Sequence, residues 1–237
     1  MGDKAMQREA IRAAAEAVAD RLEDEKTHLT ELDSAIGDAD HGSNLARGFR
    51  AAADAVADDE ESTPQELVKT IGVTLISEVG GASGPLYGGS IMSASGTLEE
   101  GVTAESSVAF AEAYLEKVKD RGDAHLGAKT MVDALTPAVH TFKKSIEVDE
   151  LPPLTALAKA TAAAERGVEY TVPLRAQKGR ASFLGWRSVG HQDPGATSTW
   201  FIMQELLEVA DDYIEGDTDV GAQSPTIPDE TPDEEDA

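Results

Sequence analysis

The tightest constraint on the fold is a helical apolar rhythm that recurs along most of the chain and is interrupted by glycine-rich punctuation, with no alternating strand pattern. Between residues 4 and 35, Ile11, Ala14, Ala15, Val18, Leu22 and Leu29 recur at helical spacing, which predicts one long helix. A short alanine-rich helix is expected over 43–57. "TPQE" at 63–66 then supplies an N-cap, a proline at the first helical position and the glutamate of a capping box, for a helix reaching about residue 79. Further helices are expected at 86–98, 104–121, 130–145, 154–170 and 195–215. Gly122 would stop one of them, and Pro137 should kink the next. Eight helices with short connections imply antiparallel neighbours, in an all-α closed eight-helix barrel or bundle.

Composition supports this. Hydrophobic residues make up 41% and aromatics only 5%, a balance that suits closely packed helices over a β-sandwich. Residues 1–215 form the expected helical domain. The remaining stretch, 216–237, holds eight acidic residues, three prolines and no basic one, and is expected to be a disordered acidic tail.

The 237-residue chain carries 45 acidic against 20 basic residues, a formal charge of −25. Its general surface therefore suits neither nucleic acid nor an anionic membrane, and any anionic substrate must meet local positive charge or a metal. Such a surface is also suited to a high-salt cytoplasm, where screening relieves self-repulsion. Cysteine is absent, which excludes a disulfide framework and thiolate zinc sites. The charged N-terminus is no signal peptide, and no apolar run is long enough to span a bilayer, so a cytoplasmic protein is expected.

Four segments carry chemistry. In "DSAIGDADHGSN", residues 33–44, Asp33 and Asp38 would lie about 140° apart on a single helix. Gly37 offers a break that lets Asp33, Asp38 and Asp40 converge, and converged carboxylates call for a cation. The calcium-loop template fails, because its sixth position would be Ser43 and its twelfth Phe49. A hard ion such as Mg²⁺ or Mn²⁺ fits, and an aspartate-rich turn that caps the next helix through Asp40 or Ser43 fits the spacing equally. "EVGGASGPLYGGS", 78–90, reads either as a phosphate-binding helix start at Gly84-Pro85 or as close helix packing. "GDAHLGAKT", 122–130, approaches a P-loop, but Ala128 separates Gly127 from Lys129 and a helical stretch precedes it, so it is rejected. From Arg175 to Gly190 there are four basic residues and no acidic one, followed by "DPGATS", a helix start with Asp193 as N-cap. The basic run reads as a phosphate site, a docking face for an acidic partner, or a loop salt-bridged to nearby carboxylates. His41 and His191 are each a candidate phosphoryl acceptor, metal ligand or structural histidine.

In this order and at these separations, "LDSAIGDADHGSNLARGF", "GGASGPLYG", "GAKTMVDALTPA" and "QKGRASFLGWRSVGHQDPGATS" resemble the nucleotide-binding L-subunit family of dihydroxyacetone kinases, over residues 5–212. The resemblance implies a closed barrel of eight antiparallel helices with ADP or ATP at one end. It implies two Mg²⁺ ions held by Asp33, Asp38 and Asp40. The nucleotide would be surrounded by His41, Gly42, Ser43, Asn44, Ala82, Ser83, Gly122, Met131, Arg180, Asp193, Pro194 and Gly195. It further implies a K subunit that binds dihydroxyacetone and a phosphohistidine-carrying M subunit of the phosphotransferase system that recharges the nucleotide. No catalytic base is expected on this chain. Ala128 and Trp186 depart from the family's usual aspartate and glutamate. The alternatives are the same subunit drawing on free, exchangeable ATP, a non-enzymatic metal-binding helical adaptor, and a phosphohistidine carrier.

Overall fold

A computed structural model describes residues 3–220 and is all-α over them. Nine α-helices follow in order: α1 Lys4–Asp24, α2 Lys26–Ile36, α3 His41–Val56, α4 Pro64–Glu78, α5 Gly89–Ala94, α6 Ala104–Gly122, α7 Val132–Glu147, α8 Pro153–Thr171 and α9 Pro194–Asp211. Helix α1 packs on α3, α3 on α4, α4 on α5, and so on through α8 and α9. Helix α9 returns to α1, and this closes a ring of eight. Helix α2 lies outside the ring, against α3 and α9.

Local chemistry explains most helix ends. Thr63 accepts from the Glu66 N–H at 3.2 Å while the Glu66 carboxylate accepts from the Thr63 N–H at 2.8 Å, the capping box expected from the sequence. Asp193 caps α9 by accepting from the Ala196 N–H at 2.7 Å, with Pro194 at the first helical position. Helix α6 ends at left-handed Asp123.

Two expectations are corrected. The long first helix is two, broken at Glu25, where ψ has moved to 3°. No glycine or proline marks the break, whose effect is to turn Leu29, Asp33 and Ile36 inward. The 86–98 helix is a composite of a π-helical turn Gly84–Gly88, α5 and a 3₁₀ turn Ser95–Leu98. Helix α7 holds Pro137 within its span, and the Asp133 carbonyl left without that proline's N–H faces α8 at Gly167. A Cβ at Gly167 would lie 2.3 Å from this carbonyl oxygen, which is why α7 and α8 approach so closely.

Fully buried leucines from α1, α2, α3, α4 and α8 (Leu22, Leu29, Leu45, Leu67, Leu75 and Leu154) anchor the wall, each stabilising the fold by about 1.5–3 kcal/mol. The ring encloses an apolar cavity of about 480 Å³, lined among others by Ala14, Phe49, Tyr87, Tyr114, Ile202 and Met203. No helix among the described residues is long and apolar enough to cross a membrane. Of the expected tail, residues 216–220 lie along α8, where the Asp217 N–H donates to Thr155 Oγ1 at 2.8 Å. Residues 221–237 lie outside the described residues.

Candidate metal and nucleotide site

One end of the barrel is built from four connections: α2–α3, α4–α5, α6–α7 and α8–α9. Side chains and backbones stitch them together. Gly80 sits against Asn44, Gly122 lies beside Leu86, and Gly195 lies beside Met131. The Gln177 N–H donates to the Ala128 carbonyl at 3.0 Å, and Lys178 pairs with Asp123 at 2.6 Å. All four motifs of the sequence therefore meet at this end.

At its centre, Asp33, Asp38 and Asp40 bring carboxylate oxygens within 4.8 Å of one another, a set able to hold a metal ion. Asp33 lies on the last turn of α2 and is only 8% exposed. Its Oδ2 accepts from the N–H groups of Asp40 at 2.9 Å and His41 at 3.3 Å. It thus satisfies the start of α3, while Asp40, at the N-cap position, makes no side-chain capping bond. A cluster that merely capped α3 would use Asp40 or Ser43; here Asp33 does so from below, and Asp38 and Asp40 remain directed to the common centre.

The convergence depends on the backbone at the break. Ala39 adopts a left-handed conformation, φ 60°, which swings Asp38 and Asp40 to one side. Gly37 is required by crowding, since a Cβ there would stand 2.0 Å from Asp33 Oδ1. Gly42 is required likewise, its Cβ position lying 2.1 Å from the Lys26 carbonyl oxygen.

The other candidate residues lie on or beside the four connections of this end. His41 Nε2 meets Ser198 Oγ at 2.9 Å, which ties α3 to α9. Burial pushes its pKa down against the opposing pull of Asp33 and Asp40, so a neutral imidazole is favoured. Ser43 is exposed on the first turn of α3, and Asn44 Oδ1 accepts from Arg47 at 3.0 Å. Ala82 and Ser83 lie in the turn before Gly84-Pro85. That turn opens a π-helix, and its glycines serve close packing: Gly88 has no room for a Cβ against the Gly72 carbonyl oxygen, 2.5 Å away. Gly122 closes α6, and Met131 is buried just before α7. Arg180 Nε pairs with Asp38 Oδ2 at 2.6 Å. Asp193, Pro194 and Gly195 form the start of α9, and burial lifts the Asp193 pKa to about 7 against the opposing Ala196 N–H and Lys129 charge. His191 is exposed, and its backbone carbonyl accepts from Lys129.

Sequence reasoning missed the fastening beneath this surface. Lys129 is 1% exposed and donates to the backbone carbonyls of Thr171, at 2.6 Å, and His191. It holds the α6–α7 and α8–α9 connections together and does not point at a phosphate, in agreement with the rejected P-loop. Asp133 accepts from the N–H groups of Gly127 at 2.5 Å and Thr130 at 2.8 Å. Tyr87, its hydroxyl pKa pushed up to about 12 by burial, reaches Ser198 Oγ at 2.9 Å and the Gly195 carbonyl at 3.2 Å. A lysine that follows glycine and alanine, three residues before the start of an apolar helix, was the available sequence signal for the first of these.

Known proteins are similar to this chain in sequence and fold. The DAK2 domain model matches residues 35–208. The ADP-binding subunit DhaL of the PEP-dependent dihydroxyacetone kinase of Escherichia coli is 41% identical over 192 residues, covering 78% of this chain and 89% of that protein. A Listeria innocua counterpart, also an ADP-binding DhaL subunit, is 38% identical over 190 residues, covering 80% and 90%. Among solved structures, the C. freundii dihydroxyacetone kinase in complex with AMP-PNP and Mg²⁺ superposes with a TM-score of 0.64 at 29% identity, over 84% of this chain and 33% of that longer one. By motif order, fold and extent, the chain belongs to the DAK2 domain family.

Proposed function

We propose that this chain is the nucleotide-carrying subunit of a dihydroxyacetone kinase, which passes a phosphoryl group from bound nucleotide to dihydroxyacetone held on a separate K subunit. The observation that carries the reading is the 4.8 Å convergence of Asp33, Asp38 and Asp40 beside Arg180, in a chain whose relatives are ADP-binding kinase subunits.

The donor set fits Mg²⁺: three carboxylates, no sulfur and one open side. Asp33, Asp38 and Asp40 would hold two ions, which when bound neutralise phosphate charge. The chain's own residues supply position. Asp33, fixed by the Asp40 and His41 N–H groups, orients the α3 start, so that His41 to Asn44 line one side of the nucleotide site. Ala82, Ser83, Gly122 and Met131 line the other, and Asp193 to Gly195 present the α9 N-terminus. Arg180, paired with Asp38 here, is placed to transfer its charge to a phosphate. Phosphoryl transfer demands positioning and charge neutralisation more than a side-chain nucleophile, and no general base is assigned to this chain. The acceptor hydroxyl is deprotonated on the K subunit, and a phosphohistidine M subunit of the phosphotransferase system recharges ADP in place.

Denaturing the purified protein should release ADP, and an empty preparation should take up Mg-ADP in calorimetry. Protein that neither contains ADP nor binds Mg-ADP would overturn the proposal. Reconstitution with K and M subunits, with and without free ATP, separates in-place recharging from the use of exchangeable ATP.

A further inference from the structure

The 175–190 connection displays the two most exposed large hydrophobic side chains among the described residues. Phe183 is 86% exposed and Trp186 is 76% exposed. The segment is an arch clamped at its base. There the Ala176 N–H donates to Ser188 Oγ at 2.9 Å and the Gly190 N–H to the Val172 carbonyl at 2.8 Å. Left-handed glycines at 179 and 185 turn its crest, which is a 3₁₀ segment Arg180–Ser188. The Arg175 guanidinium lies 5.4 Å from the Trp186 ring centre and props the indole by a cation–π contact. On the adjoining α6–α7 connection, Leu126 is 55% exposed and extends the apolar area.

We propose that Phe183 and Trp186, on this cationic arch, form the docking surface for the protein that accepts the phosphoryl group, and that the partner's matching surface is an apolar socket rimmed by carboxylates. The proposal rests on the kinase-subunit reading above and adds the means of partner recognition. Three observations carry it. The arch reaches the carboxylate cluster through the Arg180–Asp38 pair, so a protein seated on it adjoins the proposed phosphate site. Lys178 is paired with Asp123 and Arg180 with Asp38, and the remaining cations of the arch, Arg175 beneath the Trp186 ring and Arg187 next to it in sequence, have no carboxylate within ion-pair distance among the described residues, so the charge left around the aromatics favours an acidic surface. Preorganised aromatics with little conformational freedom are the side chains that dominate protein interfaces. Phe and Trp each bury about 150–250 Å² when covered, together a large share of the ~800 Å² that one side of a standard interface buries.

Other occupants fit less well. A second copy docked symmetrically would set cation against cation. An anionic bilayer would attract the arch and repel the rest of this acidic surface.

The test uses the full-length chain loaded with Mg-ADP and the separately purified dihydroxyacetone-binding K subunit from the same source. Trp186→Ala should weaken binding of the K subunit about 30-fold or more, and Phe183→Ala by a smaller factor. Trp186→Phe should recover most of the affinity. Arg187→Glu should slow association and flatten its salt dependence. ADP content per chain should be unchanged in all four variants. Unchanged K-subunit affinity in Trp186→Ala, with ADP retained, sinks the docking surface and leaves the kinase reading intact. Trp186-dependent binding to phosphatidylglycerol vesicles, or Trp186-dependent self-association by light scattering, without an effect on the K subunit, also overturns it. A chain that neither holds nor takes up Mg-ADP refutes the kinase reading instead.

Discussion

The aspartate turn and the cationic arch touch at Asp38 and Arg180, and they are built on opposite plans. In the turn, glycine is needed because there is no room: Cβ atoms at Gly37 and Gly42 would lie 2.0 and 2.1 Å from oxygen atoms. In the arch, Gly179, Gly185 and Gly190 have positive φ and nothing within 4 Å of a Cβ placed on them. Crowding fixes ligands to fractions of an ångström, as metal geometry demands, and the buried Asp33 supplies the scaffold from beneath. Open, left-handed corners let a loop rise from the surface and hold side chains out in solvent. On the proposed reading one segment holds an ion and the other a partner, and the Asp38–Arg180 ion pair joins the two.

The largest effect should come from breaking the turn's ligand set. Asp38→Ala removes a carboxylate from the centre and frees Arg180 at the same time. Metal-dependent ADP retention should fall by about 100-fold or more, measured by calorimetry with and without Mg²⁺. Helicity should hold, because the Asp38 side chain is 37% exposed and its ion pair adds little to stability. Undiminished retention would mean that Asp38 is not a ligand.

How far each plan could be read beforehand follows from the same contrast. Helix faces in the barrel were legible because burial imposes period 3.6, and the Thr63 and Asp193 caps because capping depends on one side chain and its near neighbours. The aspartates could be paired through the Gly37 break, but spacing alone left an ion site and a capped turn equal. The observations that favour an ion, a left-handed Ala39 and Asp33 reaching two N–H groups, belong to the folded chain and not to the spacing. The break at Glu25 carries no turn residue, since packing of Leu29 and Ile36 imposes it. Lys129 was opaque for a similar reason: the carbonyls that hold it come from residues 171 and 191, far along the chain.

A second, smaller effect concerns the floor beneath both segments. In the unfolded chain Asp193 ionises at an ordinary ~3.9, whereas burial raises its folded pKa to about 7. Between these values the folded protein keeps a proton that the unfolded chain has lost. The cost of the buried charge is thus absent below pH ~4, grows with rising pH, and is complete above about 7. Asp193→Asn keeps an oxygen for the Ala196 N–H and removes the titration. Relative to the parent, the variant should gain stability as pH rises from 5 to 8, by an amount on the order of a few kcal/mol at most. Parallel melting curves across that range would assign the proton elsewhere.

The smallest stability effect sharpens the comparison most. Arg180 is 68% exposed and its pair with Asp38 is open to solvent, so the pair should contribute within about 0.5 kcal/mol to folding. The arch is held by its base, through Ser188, Val172 and Ala128, and not by this crest contact. Arg180→Ala should therefore leave the melting temperature nearly unchanged. Affinity for Mg-ADP should fall about tenfold, the effect of losing a charge-assisted bond to phosphate. Arg180→Lys should restore only part of it, because an ammonium lacks the planar fork. A variant that melts several degrees lower with affinity intact would reverse the assignment, and would make the ion pair a strut of the arch in place of a phosphate ligand waiting on the turn.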